Sequence, residues 1–370
     1  MYLSNSENGR VYNFSAGPAT LPLPVLKQIE QELISLPGVG SSILEISHRG
    51  KAFISILEET QEHLRQLLSI PTNYKILFLQ GGGRLQFSMI PMNFLKGRSE
   101  EAEYLVTGTW GKLAAEQAKM QGPVNILYNG KDHNYSQLPD LASLSPNPNA
   151  SYLHYTSNET IQGIQFSDDL QFGDIPMICD ASSDILHRSL DIQKYGLIYA
   201  CAQKNIGPAG VTLVIVREDL LDKVPNDLPC YLDYRNHAEH NSMYNTSPTF
   251  PIYVVNLVCR WLQKTFGDLE SVHKFSQQKA ALLYEQIDTC KGFYTGHART
   301  SDRSLMNVVF RLPNEELTTL FLQQAADQNL TNLAGHRSVG GIRASIYNAM
   351  PLAGVQELAK FMANFYKKNS

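Results

Sequence analysis

No apolar run in the 370-residue chain approaches the roughly 18 residues that a membrane-spanning helix needs, so no helical span is expected. Charge of one sign is also missing. Lys and Arg number 31 against 35 Asp and Glu, a net charge of −4, which offers neither nucleic acid nor an anionic membrane an electrostatic partner. Cysteine is scarce and unpaired in pattern. Cys179, Cys201, Cys230, Cys259 and Cys290 are scattered, odd in number and without CxxC spacing, which argues against a disulfide framework and for small buried thiols in a reducing compartment. The polar start, residues 1–14, shows no basic stretch leading into an apolar one, so no secretory signal is expected and the sequence predicts a cytoplasmic protein. Internal repeats and low-complexity linkers are absent as well.

What is present is an ordinary globular composition, 43% apolar and 18% charged, at a length that suits two domains. Residues 22–36 and 52–70 carry apolar side chains three and four apart, the spacing of amphipathic helices. Short apolar runs at 74–79, 104–107, 151–155, 176–179, 197–202 and 211–216 are bounded by Gly, Asn, Asp or Pro and interleaved with helical stretches. Strands of that texture belong to a mainly parallel sheet covered on both faces, an α/β doubly wound core. After residue 250 the texture changes. Helical patterns at 251–265 and 269–289 lead to a strand at 305–312, a helix at 316–328, a strand at 341–348 and a helix at 352–368. The reading is a large domain over 21–266 and a smaller C-terminal α+β domain over 267–370, with an N-terminal segment, 1–20, packing on the smaller one.

Three features bear on chemistry. Gln80-Gly81-Gly82-Gly83-Arg84 lies between a strand pattern and a helical pattern over 85–95, where glycines let successive N–H groups converge on an anion at a helix start. It is neither a P-loop nor GxGxxG, and a plain tight turn remains the alternative to a phosphate cradle. Asp180 ends one apolar run and Lys204 follows another, both at C-terminal strand edges, where open α/β sheets bind ligands. Together they meet the need of a pyridoxal cofactor for a Schiff-base lysine and a carboxylate against its ring nitrogen. Trp110, one of two tryptophans, follows the run at 104–107, where an indole can stack on a flat ring or simply fill the core.

Several segments, in order along nearly the whole chain, resemble the phosphoserine aminotransferase family of fold-type-I, class-V pyridoxal-phosphate enzymes. They are residues 13–19 (NFSAGPA), 46–51 (ISHRGK), the Gly81–Arg84 turn, Asn158-Glu159-Thr160, 202–210 (AQKNIGPAG), Asn245-Thr246, and 335–337 (GHR) with 343–350 (RASIYNAM). The resemblance implies that Lys204 binds the pyridoxal phosphate and moves the proton, that Asp180 pairs with the ring nitrogen, and that Trp110 stacks on the ring. It further implies that Gly83, Arg84 and Gln203 hold the cofactor phosphate, that Thr160 meets the ring oxygen, and that Asn245 and Thr246 come from the other subunit of a homodimer. Arg343 then grips the substrate α-carboxylate, and His48, Arg49, His336 and Arg337 recognise the distal anion. The implied reaction moves an amino group between phosphoserine and 2-oxoglutarate, with a phosphorylated hydroxythreonine of pyridoxine synthesis as a second substrate in some relatives. Arginine binds phosphate and carboxylate alike in bidentate fashion, so one pocket can serve both partners.

Leu85, Ala181 and the segment 235–242 depart from the family pattern without touching a residue given a role. That segment, expected to be a loop, holds His237 and His240 at HxxH spacing with no third ligand in sight, so no metal site is expected. Other readings are a serine–glyoxylate aminotransferase, a cysteine desulfurase, a catalytically silent pyridoxal-fold binding protein, or a nucleotide-binding α/β protein. No cysteine sits in a glycine- or serine-rich loop of the smaller domain as a desulfurase needs, Lys204 and Asp180 are both present, and no Walker lysine is found.

Overall fold

The computed structural model describes residues 9–290 and 292–370. Among them, seven strands form the main sheet: β1 (Tyr74–Leu79), β2 (Ala102–Val106), β3 (Val124–Asn129), β4 (Tyr152–Thr156), β5 (Met177–Asp180), β6 (Tyr195–Cys201) and β7 (Thr212–Arg217). Their spatial order is β1-β7-β6-β5-β4-β2-β3. Strand β7 runs antiparallel to both neighbours and every other pairing is parallel. The inner strands are buried throughout except for Arg217 at the end of β7, as their unbroken apolar runs require. Strand β3, a half-buried edge lying between Gly-Pro and Asn-Gly, has no such run and escapes the sequence pattern.

Alternation along the strands feeds two cores. Ile198 and Ala200 of β6, with Leu213 and Ile215 of β7, face a core built with α1 (Leu23–Glu32), α2 (Lys51–Leu68) and α5 (Thr249–Phe266). Leu197 and Tyr199, with Val214 and Val216, face the other, built with α3 (Gly82–Phe94) and α4 (Thr109–Ala118). Helix α1 ends at Glu32, short of the predicted residue 36, and Leu33 and Ile34 beyond it are exposed.

A third cluster gathers Phe14 with the C-terminal half of α6 (Leu269–Thr289), helices α7 (Glu315–Asp327) and α8 (Leu352–Asn369), and the antiparallel strands β8 (Thr295–Gly296), β9 (Asn307–Arg311) and β10 (Ile342–Ser345). Helix α6 connects two of the clusters: Leu269 and Val272 belong to the first, Ala280, Leu283 and Ile287 to the third. Gly267, at φ +80°, turns the chain between α5 and α6, a conformation that side chains rarely adopt. Tyr12–Asn13 pairs in parallel with Leu330–Thr331.

The segment 235–242 is not the expected loop. Residues Tyr234–Glu239 form a helix whose first turn is capped by the Asp233 carboxylate on Arg235 N at 2.8 Å. Six residues are too few to show periodicity, and burial of Tyr234 and His237 decides the matter. His237 Nε2 meets the Tyr231 carbonyl and His240 Nδ1 that of Asn236, both at 2.8 Å.

Candidate active site

Register places the chemistry on one edge. Cys201 lies beside Thr212, which lies beside Leu79, while Thr156 neighbours Asp180 and Asp180 neighbours Tyr199. The residues leaving β1, β2, β4, β5 and β6 therefore emerge together, at the C-terminal rim where such sheets hold ligands.

Lys204 sits on the single helical turn Ala202–Asn205 that follows β6. Its Nζ donates to Thr160 Oγ1 at 2.9 Å and lies 5.4 Å from the centroid of the Trp110 ring. Its neighbour Asn205 is anchored on two sides: Nδ2 donates to the Ile185 carbonyl at 2.6 Å, and Oδ1 accepts from Asn348 N at 2.9 Å. The N-terminal segment closes over the turn. Ala19 N donates to the Gln203 carbonyl at 2.8 Å, and a side chain at Gly17 would begin 3.5 Å from Lys204 Cγ.

Asp180 is 5% exposed and accepts from Ser182 N at 3.0 Å. Burial pushes its carboxyl above the usual range, and the positive charge of Lys204 pulls the other way. Behind it the Tyr199 hydroxyl meets His154 Nε2 at 3.0 Å, and burial brings that imidazole down to about 3, so the ring is neutral. Glu159 is wholly buried beside this group and accepts from Trp110 N and Gly111 N at 3.0 and 2.8 Å. The sequence reading gave it no role.

At the glycine turn, Gly81 has φ +91°, and a side chain there would meet Leu85 Cβ at 2.6 Å. Gly83 N is aimed at Cys201 Sγ, 2.9 Å away. Among the described residues this leaves the amides of Gly82 and Arg84 without partners at the start of α3. Arg84 is exposed, its guanidinium 5.7 Å from the Trp110 centroid. Asn245 Nδ2 donates to Gln80 Oε1 of its own chain at 2.7 Å, which brings Asn245-Thr246 to the rim of this turn.

A second cluster lies on β10 and the turn before it. Arg343 is half-buried, and burial lowers its guanidinium from the ordinary value. His336 is also lowered, first by burial and then by the positive charges of Arg343 and Arg337, which places the three together. The segment 14–19 joins this cluster to the lysine: Ser345 N donates to the Phe14 carbonyl and Tyr347 Oη to that of Ala16, at 3.2 and 2.8 Å. His48 and Arg49 precede α2, and no hydrogen bond or ion pair among the described residues ties them to Lys204, Asp180 or Arg343.

The rim thus offers an amine, a buried carboxylate short of a cation, an indole face and unused amides at a helix start. Such a set fits a flat cationic ring bearing a phosphate. The signal for the missed members was weak in sequence, because Cys201, Asn205 and Glu159 look like ordinary core or loop residues until the sheet is assembled.

The model of the class-V aminotransferase family matches residues 11–358. The phosphoserine aminotransferase of Rhodopirellula baltica is 51% identical over 368 residues, 99% of this chain and 98% of that protein. That of Geobacillus kaustophilus is 48% identical over 361 residues, 97% of this chain and 99% of that protein. Among solved structures, the phosphoserine aminotransferase of Bacillus circulans subsp. alkalophilus superposes with a TM-score of 0.95 at 46% identity, covering 98% of this chain and 99% of that one. The pyridoxal-phosphate-bound enzyme of Trichomonas vaginalis gives 0.90 at 38% identity, covering 96% and 100%. The chain belongs to the class-V aminotransferase family.

Proposed function

We propose that the chain uses pyridoxal phosphate to move an amino group between O-phospho-L-serine and 2-oxoglutarate, the amino-transfer step of serine biosynthesis. The observation that carries this reading is the grouping of Lys204, Thr160, Trp110 and Asp180 on one sheet edge. Full-length likeness to phosphoserine aminotransferases supports the choice of substrate over the glyoxylate and desulfurase readings.

Bound there, pyridoxal phosphate supplies an electron sink for charge developing at the substrate Cα. Asp180 holds a proton on the ring nitrogen, and Lys204 carries the proton to and from Cα. Trp110 would cover the ring. Arg84, Gln203 and the open amide of Gly82 would hold the phosphate, with Gly83 shaping the turn while its own amide is taken by Cys201, and Thr160 would meet the ring oxygen. Arg343 holds the α-carboxylate, while His336 and Arg337, with His48 and Arg49, take the distal anion. Each such charge-assisted bond is worth roughly 1.5–3 kcal/mol, comparable to a whole methylene's contribution, so these groups dominate substrate choice.

The assembly is read as a cytoplasmic homodimer whose subunits share sites, Asn245 and Thr246 serving the partner's cofactor phosphate. Ile34 and Leu44, 85% and 62% exposed on the way to His48, support a subunit contact at this face. Residues 21–266 and 267–370 are read as the two domains, and the described part of 1–20 as an arm of the second. No described helix is long and apolar enough to cross a membrane.

The test is direct. Titrated with pyridoxal phosphate, the purified protein turns yellow, borohydride fixes the cofactor unless Lys204 is replaced by Ala, and phosphoserine with 2-oxoglutarate yields glutamate. A protein that stays colourless under reconstitution refutes the reading.

A further inference from the structure

The helix that carries Trp110 begins against a carboxylate. Glu159 is wholly buried, and both its oxygens are used: Oε2 accepts from Trp110 N at 3.0 Å and Oε1 from Gly111 N at 2.8 Å. A helix start attracts negative charge, because its first amides lack partners and the macrodipole is positive there. The fit is shaped on both sides. A Cβ on Gly108 would overlap the Glu159 carboxyl, and one on Gly111 would stand 3.4 Å from Oε1. Gln162 adds a second grip, donating to Thr109 Oγ1 at 2.9 Å and accepting from Thr109 N at 3.4 Å.

The residues beside Glu159 reach other parts of the site. Asn158 Nδ2 donates to Ser183 Oγ and Asn307 Oδ1, both at 2.8 Å, and Thr160 Oγ1 receives Lys204. One three-residue stretch therefore contacts the indole-bearing helix, the lysine and strand β9. Charge completes the observation. Asp180 and Glu159 are two buried carboxyls, both within the field of the Lys204 ammonium, and the charge of Asp180 bears on Glu159 as well. Burial penalises the ionised form of both carboxyls, so a cation bound between them would favour their charged form.

We infer that Glu159 is a positioning residue: it docks the start of α4 so that Trp110 lies over Lys204, and it supplies a second negative charge opposite the cationic ring that this site takes. The inference rests on the cofactor reading above. A cap with no electrostatic role would affect stability and nothing else, so two variants separate the functions. Glu159→Gln keeps the shape and removes the charge. Glu159→Asp keeps the charge and loses the reach.

Both are made in a Trp261→Phe background, where Trp110 is the sole indole. Each is titrated with pyridoxal phosphate, recording visible absorbance against pH and the quenching of Trp110 fluorescence. The expected result for Glu159→Gln is a fall of about one pH unit in the midpoint of the visible band, because an opposite charge near the cation is lost. Glu159→Asp is expected to keep that midpoint within a few tenths of a unit while its quenching falls by roughly half, a sign that the indole has moved off the ring. An unchanged midpoint in Glu159→Gln, or unchanged quenching in Glu159→Asp, overturns the inference while the parent still binds cofactor. Should Glu159→Gln fail to fold, the quenching of Glu159→Asp decides alone. A parent protein that binds no pyridoxal phosphate overturns the functional reading instead.

Discussion

At the scale of single residues, burial sets the chemistry. Asp180 is held in a low-dielectric position where ionisation is penalised, so it presses for a cation, and only Lys204 among its described neighbours supplies one. Under the proposed function, replacing Asp180 by Asn removes the group that would keep the ring nitrogen protonated. The expected loss of turnover is on the order of 100-fold with cofactor still bound, read from kcat and the visible band. A similar logic divides the substrate pocket. Arg337→Ala or Arg49→Ala is expected to raise KM for phosphoserine roughly 10- to 100-fold and to spare amino donors without a distal anion. Arg343→Ala is expected to harm every amino acid, because the α-carboxylate it is proposed to hold is common to all. Equal losses across substrates for the three variants would contradict that division. Glu159 also gives a pH signature. Burial raises its carboxyl from the ordinary 4.5 to about 7. A carboxyl whose folded value is raised binds more protons folded than unfolded between those values, so the stability it contributes is present below pH 4.5 and lost as pH rises through 7. In cofactor-free protein, the Tm of Glu159→Gln relative to wild type is therefore expected to rise between pH 5 and pH 8. A difference that stays flat with pH would show that the group does not titrate there.

At the scale of elements, the strand ends do the assembling. Five segments leave the sheet at one rim, and two of them are visibly fixed by distant neighbours: the lysine turn by Asn348 on Asn205 and Ala19 on Gln203, and the start of α4 by Glu159 on Trp110. The turn after β10 is held from beneath by Lys279 of α6. That lysine is fully buried, and its Nζ donates to the carbonyls of Ile346, Tyr347 and Met350 at 2.8, 2.6 and 3.3 Å. Lys279→Ala deprives three inward-facing carbonyls of a donor and leaves a cavity. The expected cost is about 3 kcal/mol or more in denaturant unfolding, with a weaker hold on Asn348 and hence on the lysine turn. Destabilisation under about 1 kcal/mol would mean that the turn holds itself.

At the scale of the whole molecule, the proposed sharing of sites determines which chain serves which site. Asn245 reaches Gln80 at the glycine turn of its own chain, yet Thr246 beside it is exposed, and no hydrogen bond or ion pair among the described residues ties His48 and Arg49 to the cluster around Arg343. The proposed dimer with shared sites would give the exposed Thr246, and His48 with Arg49, partners across the interface. Lys204→Ala chains mixed with Asn245→Ala/Thr246→Ala chains then form heterodimers holding one intact site and one doubly damaged site. Random reassociation of equal amounts makes about half the dimers mixed, so roughly a quarter of all sites regain full activity. Activity fixed at the parental average, with heterodimers shown to form, would place both elements in one chain's site.

The sequence by itself determined the strand-and-helix alternation, the parallel sheet and the positions of Lys204 and Asp180 at strand ends, because burial on two faces writes unbroken apolar runs that end where the chain leaves the core. It also carried the segments on which the family resemblance rests. It was silent on Val124–Asn129, a half-buried edge strand with no such run, and misleading on Tyr234–Glu239, where a side-chain cap and burial outweigh six residues of local pattern. Only the tertiary structure decided that Gly83 turns its amide to Cys201, that Asn348 anchors the residue after the lysine, and that Glu159 holds Trp110 in place. Each of these joins residues more than 45 positions apart. Such a contact leaves no periodicity in the chain, because it depends on which strand ends the sheet brings side by side.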